Sequence, residues 1–393
     1  MEKVVVGNIL AEIERSQARH QPEWDNPSQV ELVRAMLSSV TPLVTAAQVE
    51  NLRSHLARVA AGETQVLQAG DCAEDPAECT AGHIQAKTEL IDLLAQSLET
   101  ATGKQTLRVG RIAGQFSKPR SSQVEKIGDA ELPSFFGHMI NGPEPTHESR
   151  RPDPLRMLTG YMAAREIMTQ LGWVGSAPRL DGSAVWTSHE ALLLDYEMSM
   201  LRELDGGRPL LSSTHWPWIG ERTRQIDGPH VALLAQVVNP VACKVGPSMT
   251  AGEIVELCDR LDPEREPGRL SLIVRMGADL VADRLPRLVE AVQSAGHPVI
   301  WLSDPMHGNT DCAADGTKYR LVETVAREVR GFRRVLDLAG VPAGGLHLEA
   351  TPDDVTECVL DTAELGSGPV TSLCDPRLNT PQAIKVVSAW SEY

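Results

Sequence analysis

From Gln65 onward, short apolar runs alternate with longer stretches in which apolar residues recur every three or four positions. That alternation is the pattern of repeated strand and helix units in a parallel sheet. Eight runs predict strands: Val66–Ala69, Thr106–Val109, Leu210–Ser213, Ala242–Val245, Leu270–Val274, Pro298–Leu302, Gly345–Leu348 and Val370–Leu373. Eight strands with helices between them predict an α/β fold of the (β/α)8 TIM-barrel type. A doubly wound open sheet is the main rival, because strand count alone does not show closure. No Gly-x-Gly-x-x-Gly follows the first run, which weakens a dinucleotide-binding reading.

Helix signals fit the same plan. Thr250 and Glu253 predict a capping box before a helix over 250–261, and Pro381 stands at the start of another. A long helix is predicted over 318–339, stopped by Gly340 and Pro342. Residues 1–64 exceed what a barrel needs and form an N-terminal extension, with a helix from Ala46 to Ala61 capped by Thr45 and Gln48. The barrel domain spans 65–393. Its second and third strands are separated by a long insertion, a loop over 115–150 rich in Pro, Gly, Ser and charge, then helical stretches over 154–171 and 187–204.

Composition narrows the partners. With 37 Lys and Arg against 53 Asp and Glu, the formal charge of −16 disfavours nucleic acid and anionic membrane surfaces. Any phosphate site must be a local basic pocket. The seven cysteines are scattered and odd in number, which fits a reducing cytoplasm better than a disulfide framework. No apolar stretch predicts a secretory signal or a membrane span.

The residues just after each run are more informative than the runs themselves, because barrel enzymes build their sites at the C-terminal ends of the strands. The polar residues there are Asp71-Cys72, Arg111, Glu221-Arg222, Lys244, Arg275, Asp304 with His307, Glu349, and Asp375 with Arg377. Alone, each is an ordinary loop charge or a satisfied buried polar group. Together they point to one shared site. Cys72, His307, Glu349 and Asp375 offer S, N and O donors for a borderline divalent ion such as Mn²⁺, Co²⁺, Fe²⁺ or Zn²⁺. His347, two residues before Glu349, is expected inside the barrel or behind the ligands. Arg111, Arg222, Lys244 and Arg275, with Lys118, Arg120 and Ser121 on the loop after the second run, form a basic cluster suited to phosphate and carboxylate groups. Trp218 is a candidate wall of the same site. Hydrolase, Walker and kinase motifs are absent from the sequence.

Nine blocks in order resemble the type II (class II) family of 3-deoxy-D-arabino-heptulosonate 7-phosphate (DAHP) synthases. They are QAGDCAE at 68–74, RVGRIAGQFSKPRSS at 108–122, WTSHEALLLDYE at 186–197, WIGERTRQIDGPH at 218–230, NPVACKVGP at 239–247, IVRMG at 273–277, WLSDPMHGNT at 301–310, GGLHLE at 344–349 and CDPRLN at 374–379. The resemblance implies a metal-dependent aldol-type condensation of phosphoenolpyruvate with erythrose 4-phosphate, in a homo-oligomer, a dimer by the family pattern. It implies Cys72, His307, Glu349 and Asp375 as metal ligands, and Arg111, Glu221, Arg222, Lys244 and Arg275 around phosphoenolpyruvate. Lys118, Arg120 and Ser121 would lie along the erythrose 4-phosphate site, with Lys118 and Glu221 in catalytic roles. The short 112–220 segment is similar to that of members serving secondary-metabolite clusters, including phenazine pathways, so inhibition by aromatic amino acids is expected to be weak. The same chemistry on an amino analogue of erythrose 4-phosphate is the nearest alternative; a non-catalytic phosphometabolite-binding barrel is another. Cys374, beside Asp375 on the eighth run, is expected close enough to Cys72 for oxidation to link them in metal-free protein.

Overall fold

The computed structural model describes residue 13 and residues 18–392, apart from 121, 128–129, 176–183 and 206. Eight strands make one sheet: β1 (Gln65–Gly70), β2 (Thr106–Arg111), β3 (Trp186–Ser188), β4 (Trp218–Ile219), β5 (Val241–Val245), β6 (Leu270–Val274), β7 (Ile300–Ser303) and β8 (Ala343–Glu349). Their order is β3-β2-β1-β8-β7-β6-β5-β4, with every pair parallel. The remaining seam, between β3 and β4, is bridged by a Glu190–Trp218 pairing and by Trp216 and Trp218 N–H groups donating to the Thr187 and His189 carbonyls. The sheet is therefore wound into a barrel. β5 and β6 are buried at every position, as strands covered by helices outside and packed side chains inside must be.

Helices α1 (Pro27–Ser39) and α2 (Ala46–Ala60) precede the barrel, and α3 (Ala81–Thr102) joins β1 to β2. After the insertion helix α4 (Arg156–Gln170) come α5 (Pro229–Gln236), α6 (Ala251–Leu261), α7 (Val281–Ser294), α8 (Val322–Leu338) and α9 (Thr380–Ser388). Along this ring α5 packs on α6, α6 on α7, α7 on α8, α8 on α9, and α9 back on α3. The capping boxes predicted at Thr45 and Thr250 are both formed. Helix α2 lies against the starts of β6 and β8. A Cβ on Gly268 would stand 2.4 Å from the Arg53 carbonyl, and one on Gly344 would stand 3.4 Å from Val59. The bottom of the barrel is thus closed by the extension, and the top is left for chemistry.

Two of the eight predicted strands lie elsewhere. Leu210–Leu211 pairs antiparallel with Leu201–Arg202, outside the barrel. The Asn239 side chain takes both the N–H and the carbonyl of Leu211, at 2.9 and 3.0 Å, so the segment finds its partners sideways. Residues 370–373 form no strand, because the Thr371 and Ser372 N–H groups donate to the Glu357 carboxylate at 2.9 and 2.7 Å. Their places are taken by β3 and β4, which are too short to produce a periodic signal, and Glu349 accordingly ends the eighth strand instead of the seventh. The helix predicted over 187–204 is reduced to Leu194–Ser199, and the one over 318–339 starts at Val322. Lys318–Leu321 is a strand paired with Asp311–Cys312 and Cys358–Val359. The 115–150 segment holds a hairpin, Val124–Ile127 with Ala130–Pro133.

Candidate active site

Each strand end delivers its side chain through a local device. At the end of β1, Gly70 has φ +149° and lies so close to β2 that a Cβ would stand 2.7 Å from the Arg111 carbonyl. The chain turns there and buries Cys72. Its sulfur accepts from the Asp375 N–H at 3.3 Å and lies 3.6 Å from Asp375 Oδ2. Cys72, Glu349 and Asp375 present ligand atoms that all lie within 4.8 Å of one another. His307 joins them with Nε2 3.1 Å from Glu349 Oε1. Its Nδ1 lies 2.8 Å from Asp304 Oδ2, so an N–H given to Asp304 leaves the Nε2 lone pair facing the other donors. One thiol and two carboxylates therefore cluster, with an imidazole against one of the carboxylates, and donors of these kinds fit a divalent transition-metal ion.

The carboxylates among the donors are surrounded by cations. Glu349 receives Arg111 Nη2 at 2.9 Å and Arg320 Nη1 at 2.8 Å, with Lys118 Nζ 3.6 Å away. Burial would raise its pKa, but His307, Lys118, Arg320 and Arg111 outweigh burial and hold the carboxylate well below its ordinary value. Asp375 is depressed in the same way by Lys118, Arg320 and Lys318 against burial. Burial, the Cys374 hydrogen bond and Glu349 push the Cys72 thiol up. Cys374, expected on a barrel strand, lies instead on a loop beside Asp375.

Beside the donors lies a cavity of about 320 Å³. Lys118, Arg222, Lys244, Arg275, Lys318 and Arg320 line it, with Glu190, Glu221, His307 and Asp375. Lys244 donates to Asp304 at 2.5 Å, yet burial still pulls its ammonium down to about 8. The Trp218 ring stands under Arg111 and Lys244, 5.2 and 5.8 Å from its centroid.

The predicted residues separate into three positions. Lys118, Glu221, Arg222, Lys244, Arg275, His307 and Asp375 face the cavity. Cys72, Arg111 and Glu349 are buried behind it, and Arg111 gives its donors to the Asp71 carbonyl, His347 and Glu349. Arg120 lines an adjoining cavity of about 240 Å³ with Lys118, Lys318 and Asp375, and donates to Glu125 at 2.8 Å. Ser121 lies outside the described residues. Glu221 is paired with Arg224 at 2.9 Å, not with its neighbour Arg222. His347 is fully buried between Gln68 and Arg111.

Three cavity residues were not anticipated. Glu190 follows β3, the strand misread as helix; its N–H is held by the Gln115 side chain at 3.0 Å. Its Oε1 is buried without a hydrogen-bond partner, and a Cβ on Gly220 would stand only 2.0 Å from it. Burial raises its pKa against the pull of Lys118 and Lys244. Lys318 and Arg320 sit two apart on a strand and reach Asp375 at 2.7 Å and Glu349 at 2.8 Å. The signal for them was the Lys-x-Arg alternation, hidden by the helical reading.

Compared with known proteins, residues 9–174 and 163–390 match the Class-II DAHP synthetase family. A probable phospho-2-dehydro-3-deoxyheptonate aldolase of Pseudomonas fluorescens is 53% identical over 387 residues, covering 98% of this chain and 97% of that protein. The phospho-2-dehydro-3-deoxyheptonate aldolase AroG of Mycolicibacterium smegmatis is 38% identical over 425 residues, covering 94% and 91%. The solved structure of the corresponding aldolase from Francisella tularensis aligns over 93% of this chain and 95% of that one, with a TM-score of 0.55 and 12% identity. That last likeness speaks for the fold alone.

Proposed function

The chain belongs to the class-II DAHP synthetase family, and from that membership we propose that it joins phosphoenolpyruvate, erythrose 4-phosphate and water into DAHP and inorganic phosphate, the first step of the shikimate pathway. The observation that carries the reading at the site is the convergence of Cys72, His307, Glu349 and Asp375 beside a cavity lined by six cationic side chains. Those four residues would hold the ion, with Mn²⁺ or Co²⁺ preferred and Zn²⁺ or Fe²⁺ acceptable to the same mixed donors. When bound, the ion supplies Lewis acidity that polarises the aldehyde.

The chain's own residues do the rest. Lys244, Arg275 and Arg222 hold the phosphate and carboxylate of phosphoenolpyruvate, turning an encounter of two anions into a positioned reaction. Arg111 acts from behind, fixing Glu349. Lys118 lies 3.6 Å from Glu349 and 3.7 Å from Asp375 and is kept charged by Cys72 and these carboxylates despite burial. It can donate a proton to the aldehyde oxygen as carbon 3 of phosphoenolpyruvate forms the new C–C bond. Arg120 and Lys318 belong to the side where erythrose 4-phosphate enters. Water then adds at carbon 2, a proton leaves it, and phosphate departs. Glu221 was the first candidate for that proton; it and Glu190 both line the cavity, and each keeps one buried oxygen without a hydrogen-bond partner, Glu221 Oε2 and Glu190 Oε1. Glu221 is paired with Arg224, whereas burial raises the Glu190 pKa, so Glu190 is the better suited of the two as general base.

The short 112–220 segment supports a member serving secondary metabolism, and initial rates should be unaffected by phenylalanine, tyrosine or tryptophan, singly or in pairs. Helix α1 exposes Leu32 and Met36, and Leu155 and Met162 are exposed at the neighbouring α4, an apolar face consistent with a homodimer contact. The seven cysteines, all free, support a cytoplasmic enzyme. Among the described residues no helix is long and apolar enough to cross a membrane. Supplying phosphoenolpyruvate, a divalent metal and either erythrose 4-phosphate or its amino analogue, and following phosphate release and product mass, tests the reading. Release with erythrose 4-phosphate and the mass of DAHP is expected. Binding without turnover on either aldehyde would leave only a phosphometabolite-binding barrel.

A further inference from the structure

Two neighbouring loops carry two different tasks of the proposed site. The loop after β6 presents Arg275 to the anion, and the loop after β7 presents His307 to the metal. They touch backbone to backbone: a Cβ on Gly308 would stand 2.2 Å from the Gly277 nitrogen, and one on Gly277 would stand 2.9 Å from the Gly308 carbonyl. Arg275 also donates to the His307 carbonyl oxygen.

Behind this contact, on α8 and outside the cavity, sits Glu328, 1% exposed. Its Oε1 accepts the N–H groups of Met276 and Gly277, both at 2.9 Å, and its Oε2 accepts Asn309 Nδ2 at 2.6 Å. Asn309 completes the connection, accepting the Ala278 N–H at 2.9 Å and donating to the Pro305 carbonyl at 2.7 Å. One buried carboxylate thus receives three neutral N–H donors, two from the anion loop and one from the metal loop. A buried carboxylate with only neutral partners is costly, and a side chain that accepts on both oxygens is what these donors require.

We propose that Glu328, working through Asn309, is a positioning residue that ties the metal-binding loop to the phosphoenolpyruvate-binding loop, so that the two affinities are set together. The inference rests on the reading of His307 as a metal ligand and Arg275 as an anion ligand. Glu328 touches neither group, so it acts through the loops alone.

The test compares Glu328→Gln with wild type. Gln keeps an oxygen for Met276 and Gly277 but turns an amide donor against the Asn309 donor. Three quantities are measured: Mn²⁺ affinity of the metal-free protein by calorimetry, phosphoenolpyruvate affinity at saturating Mn²⁺, and KM for erythrose 4-phosphate. Outer partners of metal ligands are worth about 10- to 100-fold in affinity, so a loss of about tenfold is expected for both Mn²⁺ and phosphoenolpyruvate, with KM for erythrose 4-phosphate unchanged. A merely structural defect would lower the melting temperature without that split. Wild-type values for both affinities, or a change in only one, overturn the proposal. Should Glu328→Gln fail to fold, Asn309→Ala carries the test: it lies on the metal loop, and wild-type phosphoenolpyruvate affinity there also overturns the coupling. His307→Ala and Arg275→Ala run in parallel; if they leave Mn²⁺ and phosphoenolpyruvate binding intact, the site assignment is at fault, and the coupling falls with it.

Discussion

The arc from β5 to β8 and the seam between β3 and β4 belong to one barrel but are held by different bonds. In the arc the strands are four to seven residues long and pair through backbone ladders, with one register shift between β7 and β8 at Trp301–Leu302. At the seam, β3 has three residues and β4 two, and side chains take over. The Thr187 N–H donates to His215 Nδ1 at 3.2 Å, Gln68 donates to Ser188 at 2.8 Å, and Asn239 pins Leu211 and the Thr214 carbonyl. Lys244 and Glu349 stand on strands of the arc, where backbone pairing fixes position, and Arg275 and His307 stand on loops just beyond it, tied by Glu328 and Asn309. Glu190, Glu221 and Arg222 stand at the seam, just beyond β3 and β4. The difference separates two ways of placing a functional group: on the backbone's own ladder, or on a network of buried polar side chains.

The largest effect should come from the arc. Chelation is expected to abolish turnover and Mn²⁺ or Co²⁺ to restore it, because Lewis acidity is worth several kcal/mol of barrier. Full activity in metal-free protein would remove the arc's proposed role. At the seam, Glu190→Gln should lower kcat by about 10²–10⁴-fold, the range for a lost general base, with KM for phosphoenolpyruvate nearly unchanged. Glu221→Gln should act mainly on KM. The reverse pattern in steady-state kinetics would return the proton to Glu221.

Stability sharpens the contrast further. Asn239→Ala removes four buried backbone contacts beside the seam, those to the Leu211 N–H and to the Leu211, Thr214 and His215 carbonyls, and should cost about 2–4 kcal/mol in urea unfolding. Thr250→Ala, which removes the capping box of α6 in the arc, should cost about 1 kcal/mol. Equal losses would mean that the seam is no more dependent on side chains than the arc.

A further effect concerns pH. Burial pushes Glu328 from its ordinary 4.5 up to about 7. The folded state therefore binds this proton more tightly than the unfolded chain does. Its contribution to stability is fully present below about pH 4.5 and is lost as pH rises through 7. Glu328→Gln should flatten the decline of unfolding free energy across that window, measured by urea titration at several pH values. An unchanged slope would place the carboxylate's ordinary pKa in the folded state.

The sequence by itself determined the eight-stranded plan, the capping boxes at Thr45 and Thr250, and the polar residues after the long strands, since burial on both faces writes a continuous apolar run and a strand end exposes the residues just beyond it. It could not locate β3 and β4. Two or three residues carry no period, and β3 makes side-chain hydrogen bonds with Gln68 and His215, which are remote in sequence. For the same reason it read Leu210–Ser213 and Val370–Leu373 as strands: both are apolar enough, but the Asn239 and Glu357 side chains reach their backbone groups first. Glu190, Lys318 and Arg320 were lost in the stretches read as helix, 187–204 and 318–339. That Arg111 meets Glu349, and that Arg224 is the arginine paired with Glu221, were decided only by tertiary structure, because a charge on a chain has many partners of opposite sign and distance alone selects among them.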